Sequence, residues 1–130
     1  MIIITIRTDK PEAELGLYDG TRQLGYLVWE AHRQLGTTIH QKIAELLQQH
    51  GRELHGIQGI VCFQGPGSFT GLRIGLTVAK AFAAALHVPV VARQDPRWLE
   101  AGITDLLAGQ NDKIALPEYG SEAHITSPKR

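Results

Sequence analysis

Ile60-Val61-Cys62-Phe63-Gln64-Gly65-Pro66-Gly67-Ser68-Phe69-Thr70-Gly71-Leu72-Arg73-Ile74-Gly75-Leu76 passes from an apolar run, through a glycine-rich turn, into helical spacing. Ile57 to Phe63 has the unbroken apolarity of a buried strand. Leu72 to Leu86 reads as a helix, and Val88 to Ala92, entered through His87, as a second buried strand. A strand, a crossover helix and a further strand form a βαβ unit with parallel strands.

Upstream, the pattern changes. Ile2 to Ile6 is a β-branched run suited to a strand covered on both faces. Thr8-Asp9-Lys10-Pro11 breaks it. Glu12 to Tyr18 then alternates, with Ala13, Leu15 and Leu17 on one face. Asp19-Gly20 predicts a hairpin turn with both residues at positive φ, and Gln23 to Trp29 the return strand. Thr37 or Thr38 is the expected cap of a helix to about Gln49 that buries Ile39, Ile43, Leu46 and Leu47 and stops at Gly51, with His50 in the last turn. Downstream, Asp95-Pro96 is expected to start a helix with Trp98, Leu99, Ile103, Leu106 and Leu107 at helical spacing, ended by Gly109 to Asp112. The order is β-β-β-α-β-α-β-α. Right-handed crossovers favour a five-stranded mixed sheet of order 3-2-1-4-5 with flanking helices. This α/β order resembles the ribonuclease-H-like fold of the actin-type ATPase superfamily. Residues 1–110 are expected to form that domain. Residues 111–130 are expected to be an extended or partly disordered tail, in which Ile114, Leu116, Tyr119 and Ile125 are candidates to dock.

Composition narrows the function. The chain has 130 residues, 43% of them apolar, enough for one core. Thirteen basic residues balance thirteen acidic ones, which argues against broad electrostatic capture of nucleic acid. Cys62 is the only cysteine, so no internal disulfide forms, and its apolar surroundings predict a buried, reduced thiol. No run has the length of a membrane-spanning helix. Met1 to Ile4 reads as a first strand rather than a leader, and a cytoplasmic location is expected.

The glycine turn admits two readings. Gly65, Pro66, Gly67, Ser68, Phe69, Thr70 and Gly71, with Arg73, form a loop able to offer backbone N–H groups to an anion. Alternatively, the glycines supply unusual dihedrals while Ser68 or Thr70 caps the helix, the preferred reading for the loop alone. No Gly-Lys-Ser/Thr follows, so it is not a P-loop, and Thr70 stands where a dinucleotide fingerprint has its third glycine. In the helix, Gly71, Gly75, Ala79 and Ala83 make a ridge of small residues every fourth position, beside a larger ridge of Ile74, Val78, Phe82 and Leu86 or Ala85. Arg73, Thr77 and Lys80 leave a narrow polar stripe. A helix this apolar needs cover on more than one side. Gly71, Ile74, Gly75, Val78, Ala79, Phe82 and Ala83 are therefore a candidate partner interface, with packing inside the chain as the other reading. Gly75 in mid-helix costs about 1 kcal/mol relative to alanine, which predicts a close approach there.

The segment from Gly65 to Leu76, continuing through Ala79-Lys80, resembles the signature of the bacterial TsaB family, also called YeaZ, and His87-Val88-Pro89-Val90-Val91 fits that family's next strand. The resemblance implies a noncatalytic scaffold that binds TsaD, the catalytic subunit. With the ATPase TsaE, the complex moves a threonylcarbamoyl group from its adenylate to the adenosine beside the tRNA anticodon. tRNA is then met indirectly, and a homodimer through the same helices is an alternative pairing. TsaD has a similar glycine motif and also metal-binding histidines spaced His-x-x-x-His. His32, His40, His50, His55, His87 and His124 contain no such pair. No catalytic residue and no metal site are expected.

Three departures from the family stand out. Ile6-Arg7-Thr8 replaces a strand end that is usually Ile-Asp-Thr, so an arginine takes the place of the carboxylate that actin-type folds use near metal and phosphate. Leu35-Gly36-Thr37 stands where His-Ser-Glu is usual. Typical members also carry a second domain, whereas here only Leu116-Pro117-Glu118-Tyr119 and Ile125-Thr126 resemble their closing segment, as an internal deletion would leave. No cofactor is therefore expected, and ATP binding by the isolated chain is doubtful. A small ATP-binding module completed by a partner, and a stand-alone structural homodimer, are the alternative functions.

Overall fold

The computed structural model describes residues 1–31, 34–67 and 69–113. Its elements are β1 (Ile2–Arg7), β2 (Glu12–Asp19), β3 (Arg22–Glu30), α1 (Leu35–Gln49), a 3-10 turn at Leu54–Gly56, β4 (Gly59–Gly65), α2 (Phe69–Leu86), β5 (Val90–Gln94) and α3 (Trp98–Leu107). The strands form a five-stranded sheet of order β3-β2-β1-β4-β5. β1 pairs antiparallel with β2 and parallel with β4, in the register Ile3↔Gly59 to Ile6↔Cys62.

The apolar run of β1 is explained by its central place. Ile2, Ile4 and Ile6 join Leu15, Leu17, Ile60 and Cys62 beneath α1 and α2. On the opposite face, Ile3 joins Val61, Phe63 and Val91 beneath Trp98, Ile103 and Leu106 of α3. Fully burying one such side chain contributes about 1.5–3 kcal/mol. A single polar substitution on β1 therefore damages one of two packed layers. No helix among the described residues is long and apolar enough to cross a membrane.

Element boundaries shift from the sequence reading for identifiable reasons. The β2–β3 loop is Gly20-Thr21, not Asp19-Gly20: Asp19 pairs with Arg22, and only Gly20 of the three takes a positive φ, 61°. α1 starts at Leu35 rather than at a threonine cap. The Thr37 and Thr38 hydroxyls donate to the Gln34 carbonyl oxygen at 2.9 and 2.8 Å, inside the helix, while Leu35 extends the buried stripe. At the other end, Gly51 (φ 64°) stops α1 as expected: its N–H reaches the Gln48 carbonyl oxygen, and that of Arg52 reaches Leu47. α2 begins at Phe69, three residues before the expected Leu72, and β4 runs on through Gln64 and Gly65, so both elements take residues from the expected turn. β5 starts at Val90, since the Val88 N–H closes the end of α2 on the Ala83 carbonyl oxygen. α3 starts at Trp98, as Asp95 is engaged with Arg7 instead of capping.

After α3, Asn111 and Asp112, assigned to the tail by pattern, seal the free edge of β5. The Val90 N–H donates to Asn111 Oδ1 (3.2 Å), the Ala92 N–H to Asp112 Oδ2 (2.9 Å), and the Asp112 N–H to the Val90 carbonyl oxygen. Arg93 fastens this segment through Asp105 (2.8 Å) and Asp112 (2.7 Å). Ile114, Leu116, Tyr119 and Ile125 lie outside the described residues.

The close approach expected at Gly75 is present within the chain. A Cβ on Gly75 would meet Thr8 Oγ1, and that hydroxyl donates to the Gly71 carbonyl oxygen at 2.7 Å. Gly75→Ala gains about 1 kcal/mol of helix propensity but overpacks a site where such changes cost about 1–3 kcal/mol. Urea unfolding should show a net loss of stability, and a smaller loss in a Thr8→Ala background. A stabilised single variant would mean that Thr8 gives way.

Burial raises the Cys62 thiol from its ordinary 9.0 to about 12. The folded state then keeps a proton that the unfolded state loses, so this contribution to stability falls as pH rises through that window. At pH 8, Ellman's reagent should label Cys62 only at the rate of unfolding; rapid labelling of the native protein would contradict this burial.

Candidate functional site

The parallel strands β1, β4 and β5 end on the same side of the sheet, and the direction of connection reverses between β1 and β4. Open α/β sheets bind ligands in the crevice outside the carboxyl ends at such a point. Arg7, Thr8 and Asp9 arrive there from β1, Gly65 to Gly67 from β4, and Asp95 from β5. Beside them lies a cavity of about 320 Å³ whose lining includes Thr8, Asp9, Lys10, Leu35, Thr70, Gly71 and Ile74.

Arg7 dominates the crevice. Its Nε donates to Asp9 Oδ1 at 2.8 Å and its Nη2 to Asp9 Oδ2 at 3.2 Å. The same Nη2 donates to Asp95 Oδ2 at 3.1 Å, and Nη1 to Asp95 Oδ1 at 3.4 Å. The guanidinium carbon lies 3.9 Å from the centroid of Phe63 and 5.9 Å from that of Trp98. Those two rings meet edge to face at 5.6 Å. A cation over aromatic faces and between carboxylates is held by charge and by the ring quadrupoles together. Burial opposes the charge on Arg7, but hydrogen bonds and attraction from Asp9 and Asp95 outweigh it and raise its pKa.

The glycine turn is divided by this arrangement. Thr70 and Gly71 face the cavity together with Thr8 and Lys10. Gly67 lies against Asp9: a Cβ built on it would stand 2.6 Å from the Asp9 Cβ. Pro66 is exposed, Arg73 is exposed on α2, Phe69 opens that helix, and Ser68 lies outside the described residues. The engagement of Asp95 was missed by the sequence reading. Nothing local marks it, because 88 positions separate it from Arg7.

The small ridge of α2 faces the chain's own interior. Gly75 packs on Thr8, while Val78, Ala79 and Ala83 are buried. Ile74 and Phe82 are half-buried. Phe82 lies on a groove of about 470 Å³ between α1 and α2, whose wall on α1 includes His40, Ile43, Ala44 and Leu47. His40 and Phe82 meet edge to face at 5.6 Å.

This sheet order and its helices define a ribonuclease-H-like fold. T. thermophilus RuvC in complex with Holliday junction substrate shares it at a TM-score of 0.53 and 16% identity, over 73% of this chain and 66% of that one. YeaZ from Pseudomonas aeruginosa superposes with a TM-score of 0.67 at 28% identity, over 72% of this chain and 44% of YeaZ. Residues 25–94 match the family model TsaD, tRNA N6-adenosine threonylcarbamoyltransferase. The tRNA threonylcarbamoyladenosine biosynthesis protein TsaB of Escherichia coli (strain K12) is 29% identical over 116 residues, 83% of this chain and 49% of that protein. Curated relatives with the transferase name match as well. The chain belongs to this family and is a TsaB (YeaZ) family member. It spans less than half the length of these curated relatives.

The two carboxylates on Arg7 differ in burial: the Asp9 side chain is 9% exposed and that of Asp95 47%. Asp9→Ala should cost about 1.5–3 kcal/mol, as for a hydrogen bond to a charged group. Asp95→Ala should cost less than about 1 kcal/mol, as for an exposed pair. Equal losses in urea unfolding would mean that the crevice, not burial, sets the value of both contacts.

Proposed function

We propose that this chain is a noncatalytic docking subunit of the machinery that makes threonylcarbamoyladenosine in tRNA, and that it binds a TsaD-type catalytic partner. The pathway is supported by relatives named for it. The docking role is supported chiefly by the α1–α2 groove. Its lining includes the apolar Ile43, Ala44, Leu47, Leu54 and Phe82. An apolar surface of this kind, rimmed by polar Gln48, Arg52 and Glu53, suits a protein partner more than a charged substrate. The noncatalytic role is supported by the histidine pattern, which lacks the His-x-x-x-His pair that the resemblance assigns to TsaD. In this reading tRNA is met through the partner, TsaE joins the full complex, and the assembly works in the cytoplasm. A second copy of the chain, seated on the same helices, is the alternative occupant.

In this reading the residues of α2 divide into a support and a surface. Gly75 and Ala79 are the support beneath the groove, and Phe82 of α2, with Ala44 of α1, is the surface, while Ile74 lines the neighbouring crevice. Ala44→Glu places a charge at an exposed position without removing a core contact, and Phe82→Asp places one on the α2 side of the groove lining. Each should weaken binding to TsaD from the same source by about ten-fold or more, as central contacts of an interface do, with circular dichroism unchanged. If both variants stay folded and bind with unaltered affinity, the docking surface is elsewhere.

A further inference from the structure

We propose that Arg7 is the built-in cation of the crevice at the β1–β4 switch point, making it an internal clamp rather than a site for a divalent ion and nucleotide phosphates. The inference stands apart from the docking role. Three observations carry it. First, both carboxylates that a metal ion would need are engaged by one guanidinium, and Asp9 Oδ2 and Asp95 Oδ2 share the same nitrogen, Nη2. Second, Phe63 covers the guanidinium at 3.9 Å, and the Arg7 side chain is only 17% exposed. Little of its charge is left for an incoming phosphate. Third, the close approach that Gly67 permits is taken by Asp9, an anion of the chain itself. The formal charge of Arg7, Asp9 and Asp95 together is one negative, and Lys10 on the adjoining cavity brings the set only to zero, so no net positive charge draws phosphate, while the place a cation would take is filled. A Mg²⁺–nucleotide complex, as the actin-type fold suggests, does not fit this set of residues. The clamp instead ties the turn after β1 to the turn after β5.

The test is terbium luminescence excited through tryptophan, since Trp98 borders the guanidinium. The wild-type chain and an Asp9→Asn variant should show no difference in saturable Tb³⁺ signal, and the wild type should not bind Mg²⁺–ATP by calorimetry. Arg7→Met keeps an unbranched side chain beside Phe63 and removes the charge. It should gain Tb³⁺ affinity by about ten-fold or more, because removing one partner leaves the others uncompensated, and Asp9→Asn should abolish the gain. A wild-type Tb³⁺ signal that Asp9→Asn removes, or Mg²⁺–ATP binding by the wild type, would overturn the proposal whether or not Arg7→Met folds. A folded Arg7→Met variant with no new affinity would overturn it too.

Discussion

Burial of β1 on both faces is the constraint from which the rest of the architecture follows. A strand with Ile2, Ile4 and Ile6 on one side and Ile3 on the other needs a helical layer above and below and a neighbour at each edge. β2 supplies one edge by hairpin connection, and β4 the other by a crossover. Once β1 is central, its carboxyl end lies at the place where connections diverge. Arg7, Thr8 and Asp9 are thereby delivered to the crevice by the same packing that builds the core.

Thr8 links the two halves of that arrangement. It is almost fully buried, and its hydroxyl holds the Gly71 carbonyl oxygen while its side chain occupies the space that Gly75 leaves open. The small residues of α2 therefore let the helix settle on the end of β1. Close packing inside the chain brings Phe82 beside His40 and shapes the groove between α1 and α2. Core and candidate docking surface are two sides of one helix placement.

Periodic features are legible in the residue pattern alone. The alternation from Ala13 to Leu17, the helical spacing from Ile39 to Leu47 and the apolar run of β1 all depend on neighbours within one or two turns or pleats. Sheet order follows from them because crossovers have one hand. Element ends are less legible. Thr37 and Thr38 have the chemistry of caps, yet Leu35 gains more by burial one turn earlier; Asp95 has it too, yet faces Arg7. In each case a tertiary contact outweighs a local preference.

The sequence by itself determined the strand and helix pattern, the family signature from Gly65 to Leu76 and the presence of an arginine at the end of β1. Only the tertiary structure decided what that arginine meets. Asp9 is two positions away and Asp95 is 88 positions away, yet both reach one guanidinium. Local spacing carries no information about a contact across the sheet. That contact exists because β4 lies between β1 and β5 and brings Phe63 beneath the charge.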